Sequence, residues 1–557
     1  MEVAGRLLAG LNEGQRLVAT SFGQPVCVIA GAGTGKTRAI THRIAYAVAE
    51  GLTPADAVLA LTFTQKAAGE LAQRLRALGA DGVEARTFHS TALRQLQHFW
   101  PKLTGGYLPK IMPTKAAVLA SALESLRLNV DAAVLRDLAS EIEWRKVKGL
   151  TFEEYAQLRE GQSLPAGLPL EQILEIHRRY EQFKDERRRI DFEDVLLLAV
   201  GMLEQEPSVA DLVRSRVRHI VVDEYQDVSP IQQRLLDLWS ENTEELCVVG
   251  DASQTIYSFA GATSDYLLRF ADAYPQARII RLEQNYRSSR EIVEVANRVM
   301  RGEEGALELV SHWGVGVAPR VHAADSDEDE ARWVADAIQA EIAQGVSPAS
   351  MAVLHRFTAQ MVLTEAALRQ RGIPVRVQGQ TRFFDQPHVA RAVMEIRGAA
   401  VAGSGGEVVR VVTDILYGLG YTDQEPDHQG TERHHWEDFR ALIDLAESSP
   451  GVTLQQFSED LLTRSQAHDE PGRHQVTLST VHSAKGLEWE RVWLVGLTEG
   501  SFPISYALSP EAIAEERRLF YVAVTRAREQ LTVSYASRGP SATAATRRPS
   551  RFLDALV

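Results

Sequence analysis

The stretch "QPVCVIAGAGTGKT" (24–37) sets the reading of the chain. Its first half is an apolar run rich in β-branched residues, its second a glycine-rich turn, and a helical pattern follows. Residues without a Cβ let successive backbone N–H groups curl towards one point, and the helix N-terminus adds positive potential there. "AGAGTGKT" (30–37) therefore reads as a P-loop. Ala32, Gly33, Thr34 and Gly35 would wrap the phosphates of a nucleoside triphosphate, Lys36 would neutralise the β/γ-phosphates, and Thr37 would hold Mg²⁺. Ala30 stands where the strict pattern has glycine, an end of the loop where a small residue suffices.

Working outward, the strand–helix rhythm repeats at "AVLALTF" (57–63) and "VEARTF" (83–88), which predicts a parallel sheet. Residues 104–188 lose the strands and read as amphipathic helices. Strands return at "RHIVVDE" (218–224), "LCVVGD" (246–251), "ARIIRL" (277–282) and "MAVLHR" (351–356). They are lost over 383–473 and resume with "HQVTLSTV" and "RVWLVGL". Two α/β sheets, each interrupted by a mainly helical insertion, fit this order. Within the second insertion "AGSGGE" and "QEPDHQGTERHH" read as exposed loops, and His428, His434 and His435 as a solvated cluster rather than a metal site. Ser326 followed by Asp329 reads as a helix N-cap.

The bulk composition sets outer bounds. A chain of 557 residues exceeds one core and implies about three or four domains. No apolar run is long enough to span a bilayer, and "MEVAGRLLAGLNEGQ" lacks the pattern of a signal peptide, so the expectation is a cytoplasmic protein without a membrane partner. The net charge of −14 excludes a basic surface overall but not a local basic channel. The two cysteines, Cys27 and Cys247, lie in apolar runs and read as buried thiols. Of 60 basic residues only nine are lysines, and Lys485 is the single one after Lys184, which hints at a compact point charge there.

"HIVVDEYQD" ends a fully apolar strand on Asp223 and Glu224. Beside a P-loop that pair has a chemical assignment, Asp223 to the Mg²⁺ shell and Glu224 to orienting and deprotonating the attacking water. Cations should also converge on the γ-phosphate, and Arg287 in "QNYRSS" and Arg526 in "YVAVTRARE" are the candidates.

Taken in order, "LNEGQ", "AGAGTGKT", "ALTFTQKAAGEL", "TFHS", "DEYQD", "VVGDASQTIYSFAGA", "LEQNYRSS", "TVHSAKGLEW" and "YVAVTRARE" resemble the motif series of superfamily 1A DNA helicases, the UvrD/Rep/PcrA group. The resemblance runs from residue 11 to about 530 and implies an α/β fold of two RecA-like motor domains, 1A and 2A. The expected bounds are 1–103 with 189–278 for 1A, 104–188 for the helical insertion 1B, 279–382 with 474–557 for 2A, and 383–473 for a short insertion 2B. It implies ATP with Mg²⁺, and movement 3′-to-5′ on single-stranded DNA with unwinding of 3′-tailed duplex in repair or replication. It also implies a nucleoid-associated protein, monomeric in isolation, with repair proteins as partners.

Residue by residue, the resemblance implies that Gln15 reads the adenine edge, that Arg38 and Tyr286 sandwich the base, and that Glu488 lies near the ribose. Gln254 would touch the γ-phosphate. Phe63, His89, Phe192, Tyr257 and Phe259 would contact single-stranded DNA, with Thr62, Thr87, Thr480 and His482 on phosphates. The solitary Lys485 falls inside "HSAKGLEW".

There are three departures from the pattern. Phe259-Ala260 stands where close relatives usually have Trp-Arg, which predicts a weaker grip on the strand. The second insertion is shorter than the family's usual 2B. The chain looks most similar to actinobacterial second UvrD-like paralogues, which continue past the motor into a cysteine-rich segment and an HRDC module, and neither is found in these 557 residues. The expectation is then a motor portion only. Three other readings stay open: a translocase that displaces proteins but unwinds poorly alone, the motor subunit of a helicase–nuclease complex, and an inactive ATP-binding scaffold.

Overall fold

The computed structural model describes residues 2–162, 164–241, 243, 245–258, 261–378, 384, 386–402, 406–422, 431–447, 449, 451–467, 474–538 and 546–556. The chain divides into two compact units, Met1–Gly314 with Ser509–Val522, and Val315–Leu508 with Ala523–Val557.

The first unit is built on six parallel strands: β1 (Val26–Ala30), β2 (Val58–Thr62), β3 (Glu84–Thr87), β4 (His219–Val222), β5 (Leu246–Gly250) and β6 (Arg278–Leu282). Their order across the sheet is β3-β2-β4-β5-β1-β6. Strands β1, β2, β4 and β5 are apolar because helices cover both faces of the sheet. One face packs Val26, Val28, Ile40, Ile44, Leu71 and Val249, the other Leu59, Phe88, Leu196, Ile220, Leu235 and Trp239. Cys27 and Cys247 are buried free thiols, and burial pushes Cys27 up to about 12.

Since the strands are parallel, every carboxyl end emerges on one edge, where ligands bind in open α/β sheets. The register of Ile29 opposite Gly250, Val222 opposite Val248, and Thr62 opposite Thr87 aligns the segments that follow β1, β4, β5, β2 and β3. The first insertion is helical, Ala116–Ser125, Ala132–Val147, Phe152–Arg159 and Leu170–Glu186, around its own core of Leu119, Leu138, Ile142, Tyr155, Ile173 and Tyr180.

The second unit carries another sheet of six parallel strands: β7 (Arg320–Ser326), β8 (Met351–His355), β9 (Val375–Val377), β10 (Val476–Thr480), β11 (Trp489–Leu494) and β12 (Ala527–Arg538). The order is β7-β12-β11-β8-β10-β9. Strands β7, β9 and β12 are not among the runs read as strands, because β7 and β12 are mostly polar and β9 is only three residues long. Ser326 caps the helix Asp327–Ala343, accepting from Asp329 N at 3.2 Å, as its spacing predicts.

The second insertion is also helical, Pro387–Val401, Val408–Gly418, Thr431–Glu447 and Leu454–Ala467, packed through Val389, Ile396, Val412, Leu416, Phe439, Leu442 and Phe457. The expectation of a loop over "TERHH" is corrected, because these residues begin the helix Thr431–Glu447. The apolar set Phe439, Leu442, Ile443 and Ala446 gives that segment a helical face to bury. His428 lies outside the described residues. The His435 ring lies against His388 with centroids 3.8 Å apart and 33° between the planes, and His388 pairs with Asp438 at 2.7 Å. Among the described residues no group of three or more His, Cys, Asp or Glu side chains could hold a metal ion, and no helix is long and apolar enough to cross a membrane.

Candidate nucleotide and nucleic-acid sites

The helix Lys36–Ala49 starts directly from the glycine turn, with Gly35 as its N-cap at φ +80°. Gly33 has φ +70°, and a Cβ there would lie 2.6 Å from Asn285 Nδ2. A Cβ on Gly35 would meet Gln15 Nε2 at 2.6 Å. Both positions therefore require glycine on conformation and on space. Replacing Gly35 with alanine is expected to destabilise the first unit by about 1–3 kcal/mol through the left-handed backbone alone, read as an earlier thermal transition without nucleotide.

The loop is braced from behind. Gln15 Nε2 donates to Thr34 O at 2.9 Å, and Gln15 is itself held by the capping box with Asn12 on the helix Glu13–Thr20. Asn285 Nδ2 donates to Ala32 O at 2.7 Å, and Tyr286 N to Gly33 O at 2.8 Å. Arg38 and Tyr286, the expected base sandwich, both reach the segment before Gln15. Arg38 Nη2 donates to Gly10 O at 2.8 Å, and Tyr286 OH accepts from Asn12 Nδ2 at 2.7 Å.

In front of the loop, Lys36 Nζ is buried without a hydrogen-bond partner among the described residues and lies 3.7 Å from Glu224 Oε2. A buried ammonium lacking acceptors suits an anionic ligand. Thr37 Oγ1 lies 3.5 Å from Asp223 Oδ2. Burial, reinforced by the charge of Glu224 and opposed by Lys36, pushes the Asp223 carboxyl up to about 7. A hydroxyl beside a carboxylate is an oxygen donor set that fits Mg²⁺.

Glu224 sits in the left-handed region at φ 54°, an uncommon conformation for a residue with a side chain. Its N–H donates to Asp223 Oδ1 at 2.9 Å, and its carboxylate accepts from Gln226 Nε2 at 2.5 Å. Gln226 Oε1 also accepts from Asp251 N at 3.0 Å, and Asp251 Oδ2 accepts from Gln254 Nε2 at 2.7 Å. Gln226 and Asp251 thus join Glu224 to Gln254, a connection the sequence reading missed. Asp251 follows an apolar strand as Asp223 does, so the same strand-end signal was present.

Tyr521 was also missed. Its hydroxyl accepts from Ala32 N at 3.3 Å and lies 3.5 Å from Asp251 Oδ2. On the same helix, Pro510–Val524, Arg518 Nε donates to Thr255 O at 2.9 Å and Glu515 Oε1 accepts from Ser258 N at 3.3 Å. No local pattern announces these contacts.

A second group lies where β2 and β3 end. Phe63 is 42% exposed and stacks on Tyr257 at 5.7 Å with 13° between the rings. His89 stacks on Phe192 at 3.9 Å and 10°, and Phe192 is 54% exposed. Burial lowers His89 to about 4, which leaves its ring neutral at physiological pH. Thr87 caps the helix Phe88–Thr104, whereas Thr62 Oγ1 is buried with no hydrogen-bond partner among the described residues. Phe259 and Ala260 lie outside the described residues.

Arg287 lies in the first unit, its N–H donating to Asn285 Oδ1 at 2.9 Å, and the remaining candidates belong to the second unit. Glu488 and Arg526 immediately precede β11 and β12, where Trp489 N donates to Arg526 O at 3.0 Å. Arg526 is buried and donates to Leu487 O at 3.0 Å, and Glu488 lies 3.8 Å from Arg528. Thr480 ends β10, on the opposite edge of that sheet, with its hydroxyl 3.0 Å from Ser483 Oγ. Burial, helped by Arg356 and Lys485, lowers the nearby His482 to about 4.

Two family models match the chain, the UvrD/REP helicase N-terminal domain over residues 11–275 and the UvrD-like helicase C-terminal domain over 280–403 and 407–538. The chain is 41% identical to ATP-dependent DNA helicase UvrD2 of Mycobacterium tuberculosis, over 99% of its own length and 82% of that protein. It is 30% identical to DNA helicase II of Escherichia coli over 99% and 88% of the two lengths. With ATP-dependent DNA helicase PcrA of Bacillus subtilis the identity is 27% over 96% and 84%.

Proposed function

The chain belongs to the UvrD/REP helicase family, and from that premise we propose an ATP-dependent helicase that translocates 3′-to-5′ on single-stranded DNA and opens 3′-tailed duplex. The observation that carries the reading is the convergence on one sheet edge of a buried, acceptor-less Lys36, the Thr37–Asp223 pair and the Glu224–Gln226–Asp251–Gln254 chain. Thr37 and Asp223 are the proposed Mg²⁺ ligands. Bound there, the ion would neutralise charge on the β- and γ-phosphates. Glu224 orients and deprotonates the attacking water, Gln254 meets the γ-phosphate, and Arg287 and Arg526 supply cationic charge to it. Gln15, Arg38, Tyr286 and Glu488 select and hold the nucleoside.

On the DNA side, the paired rings Phe63–Tyr257 and His89–Phe192 offer sequence-tolerant stacking platforms. Phe259 is proposed to join them, with Thr62, Thr87, Thr480 and His482 near phosphates. The proposed division into 1A, 1B, 2A and 2B keeps the bounds given above except that β6, Arg278–Leu282, belongs to the sheet of 1A, so that boundary falls after Leu282. The proposed setting is the cytoplasm, on nucleoid DNA in repair or replication, with a protein that is monomeric alone and works beside repair proteins.

The test is ATP hydrolysis and unwinding on 3′-tailed and 5′-tailed duplexes. Unwinding confined to the 3′ tail, with turnover stimulated by single-stranded DNA, is expected. A preference for the 5′ tail overturns the polarity. Displacement of streptavidin from the strand without duplex opening favours a protein-displacing translocase, a reading supported by Ala260 standing in place of arginine.

A further inference from the structure

Phe192 stands in the run "DFED", and its three acidic neighbours Asp191, Glu193 and Asp194 are buried while the ring itself is exposed. Three of the nine lysines of the chain converge on those carboxylates. Lys146 Nζ lies 2.5 Å from Asp191 Oδ2, 2.8 Å from Asp194 Oδ1 and 2.9 Å from Glu181 Oε1. Lys184 Nζ lies 2.6 Å from Glu181 Oε2 and 3.5 Å from Asp191 Oδ2, and also pairs with Asp194. Lys115 Nζ lies 2.7 Å from Glu193 Oε2 and 3.4 Å from Glu143 Oε2.

The acidic turn is also closed on itself. Asp191 N donates to Asp194 Oδ2 at 2.9 Å, Asp194 N donates to Asp191 Oδ1 at 3.0 Å, and Tyr180 OH donates to Asp191 Oδ2 at 3.0 Å. Burial opposes ionisation throughout the cluster. Against it, the surrounding carboxylates hold Lys146 above its ordinary range and the lysines hold Asp191 below, while Asp194 is raised by burial and by the charge of Asp191.

The lysines all come from the first insertion. Lys115 immediately precedes Ala116–Ser125, Lys146 lies in Ala132–Val147, and Lys184 in Leu170–Glu186. The carboxylates of the turn lead into the helix Asp194–Gln205, which packs on the sheet core through Val195, Leu196 and Ala199. Stability does not explain such a cluster, since buried ion pairs return little more than their desolvation removes, and apolar side chains of equal volume often serve as well. What the cluster does is fix the backbone on both sides of one exposed ring. A ring ordered before its ligand arrives loses less binding free energy to ordering.

We propose that Lys115, Lys146 and Lys184 are positioning residues, through which the first insertion holds Phe192 against His89 as a stacking platform for a single-stranded base. The inference rests on the reading of Phe192 as a DNA contact. The insertion thereby acts on DNA affinity from inside the protein.

The test measures ATP turnover of the full chain against oligothymidylate concentration for wild type, Phe192→Ala, Lys115→Met, Lys146→Met and the double variant Lys115→Met/Phe192→Ala. Phe192→Ala is expected to raise the half-saturating DNA concentration about tenfold, the scale of one lost stacking contact. Lys115→Met should raise it about threefold, and the double variant should do no more than Phe192→Ala alone. For Lys115→Met, turnover without DNA and the half-saturating ATP concentration should not move. Lys146→Met should behave as Lys115→Met does, and if it does not fold, Lys115→Met, whose lysine is less deeply buried, decides alone. An effect of Phe192→Ala with none from Lys115→Met overturns the proposal, as does multiplication of the two effects. No effect of Phe192→Ala removes the DNA reading of Phe192, and the proposal with it.

Discussion

Replacing Glu224 with glutamine is expected to lower DNA-stimulated ATP turnover by about 10²–10⁴-fold, the range of a lost general base, while nucleotide still binds. The argument starts from where the side chain stands. Glu224 follows Asp223 at the end of β4 and holds a left-handed backbone, so the two adjacent carboxylates are turned to different partners. Asp223 faces Thr37, and Glu224 faces Lys36 and Gln226. Glutamine keeps the shape and can still bond Gln226 but cannot take a proton from water. Binding of a fluorescent ATP analogue by the variant should therefore match wild type while steady-state phosphate release falls. A wild-type protein without DNA-stimulated turnover would favour the scaffold reading. A variant with wild-type turnover would move the base elsewhere.

What was legible in the sequence divides by range. The P-loop and the strand-end acids follow local grammar, in which an apolar run, a glycine turn and a capped helix are contiguous, and the structure places Lys36, Thr37, Asp223 and Glu224 together. The paired rings were visible one by one, but each pair joins a residue just past β2 or β3 to one far along the chain, a contact no local pattern announces. Strand β12 was missed because "AREQLTVSYASR" begins polar, and its position between β7 and β11 is what makes it a strand. Tyr521 reaches Ala32 across 489 residues of chain, a distance no pattern spans. The scarcity of lysine directed attention to Lys485, and the structure adds Lys115, Lys146 and Lys184, which fold into buried pairs.

Arg287→Ala should reduce turnover at saturating ATP and DNA by about 10³–10⁵-fold, the scale of an arginine lost from a phosphoryl-transfer site. The backbone of Arg287 is tied to the P-loop by its neighbours. Asn285, fully buried, donates to Ala32 O at 2.7 Å and accepts from Arg287 N at 2.9 Å and Ser288 N at 2.8 Å, while Tyr286 N donates to Gly33 O. A Cβ on Gly33 would lie 2.7 Å from Arg287 Cβ, so the arginine begins within contact of the loop. Two further variants separate charge from placement. Arg287→Lys retains the charge but not the planar fork, and should recover only part of the rate. Asn285→Ala leaves the arginine intact but releases it from Ala32, and should lower turnover less than Arg287→Ala does. A rise in the half-saturating ATP concentration with unchanged maximal turnover would instead mean that Arg287 binds ground state and transition state equally. Its contribution would then be to holding ATP rather than to breaking it.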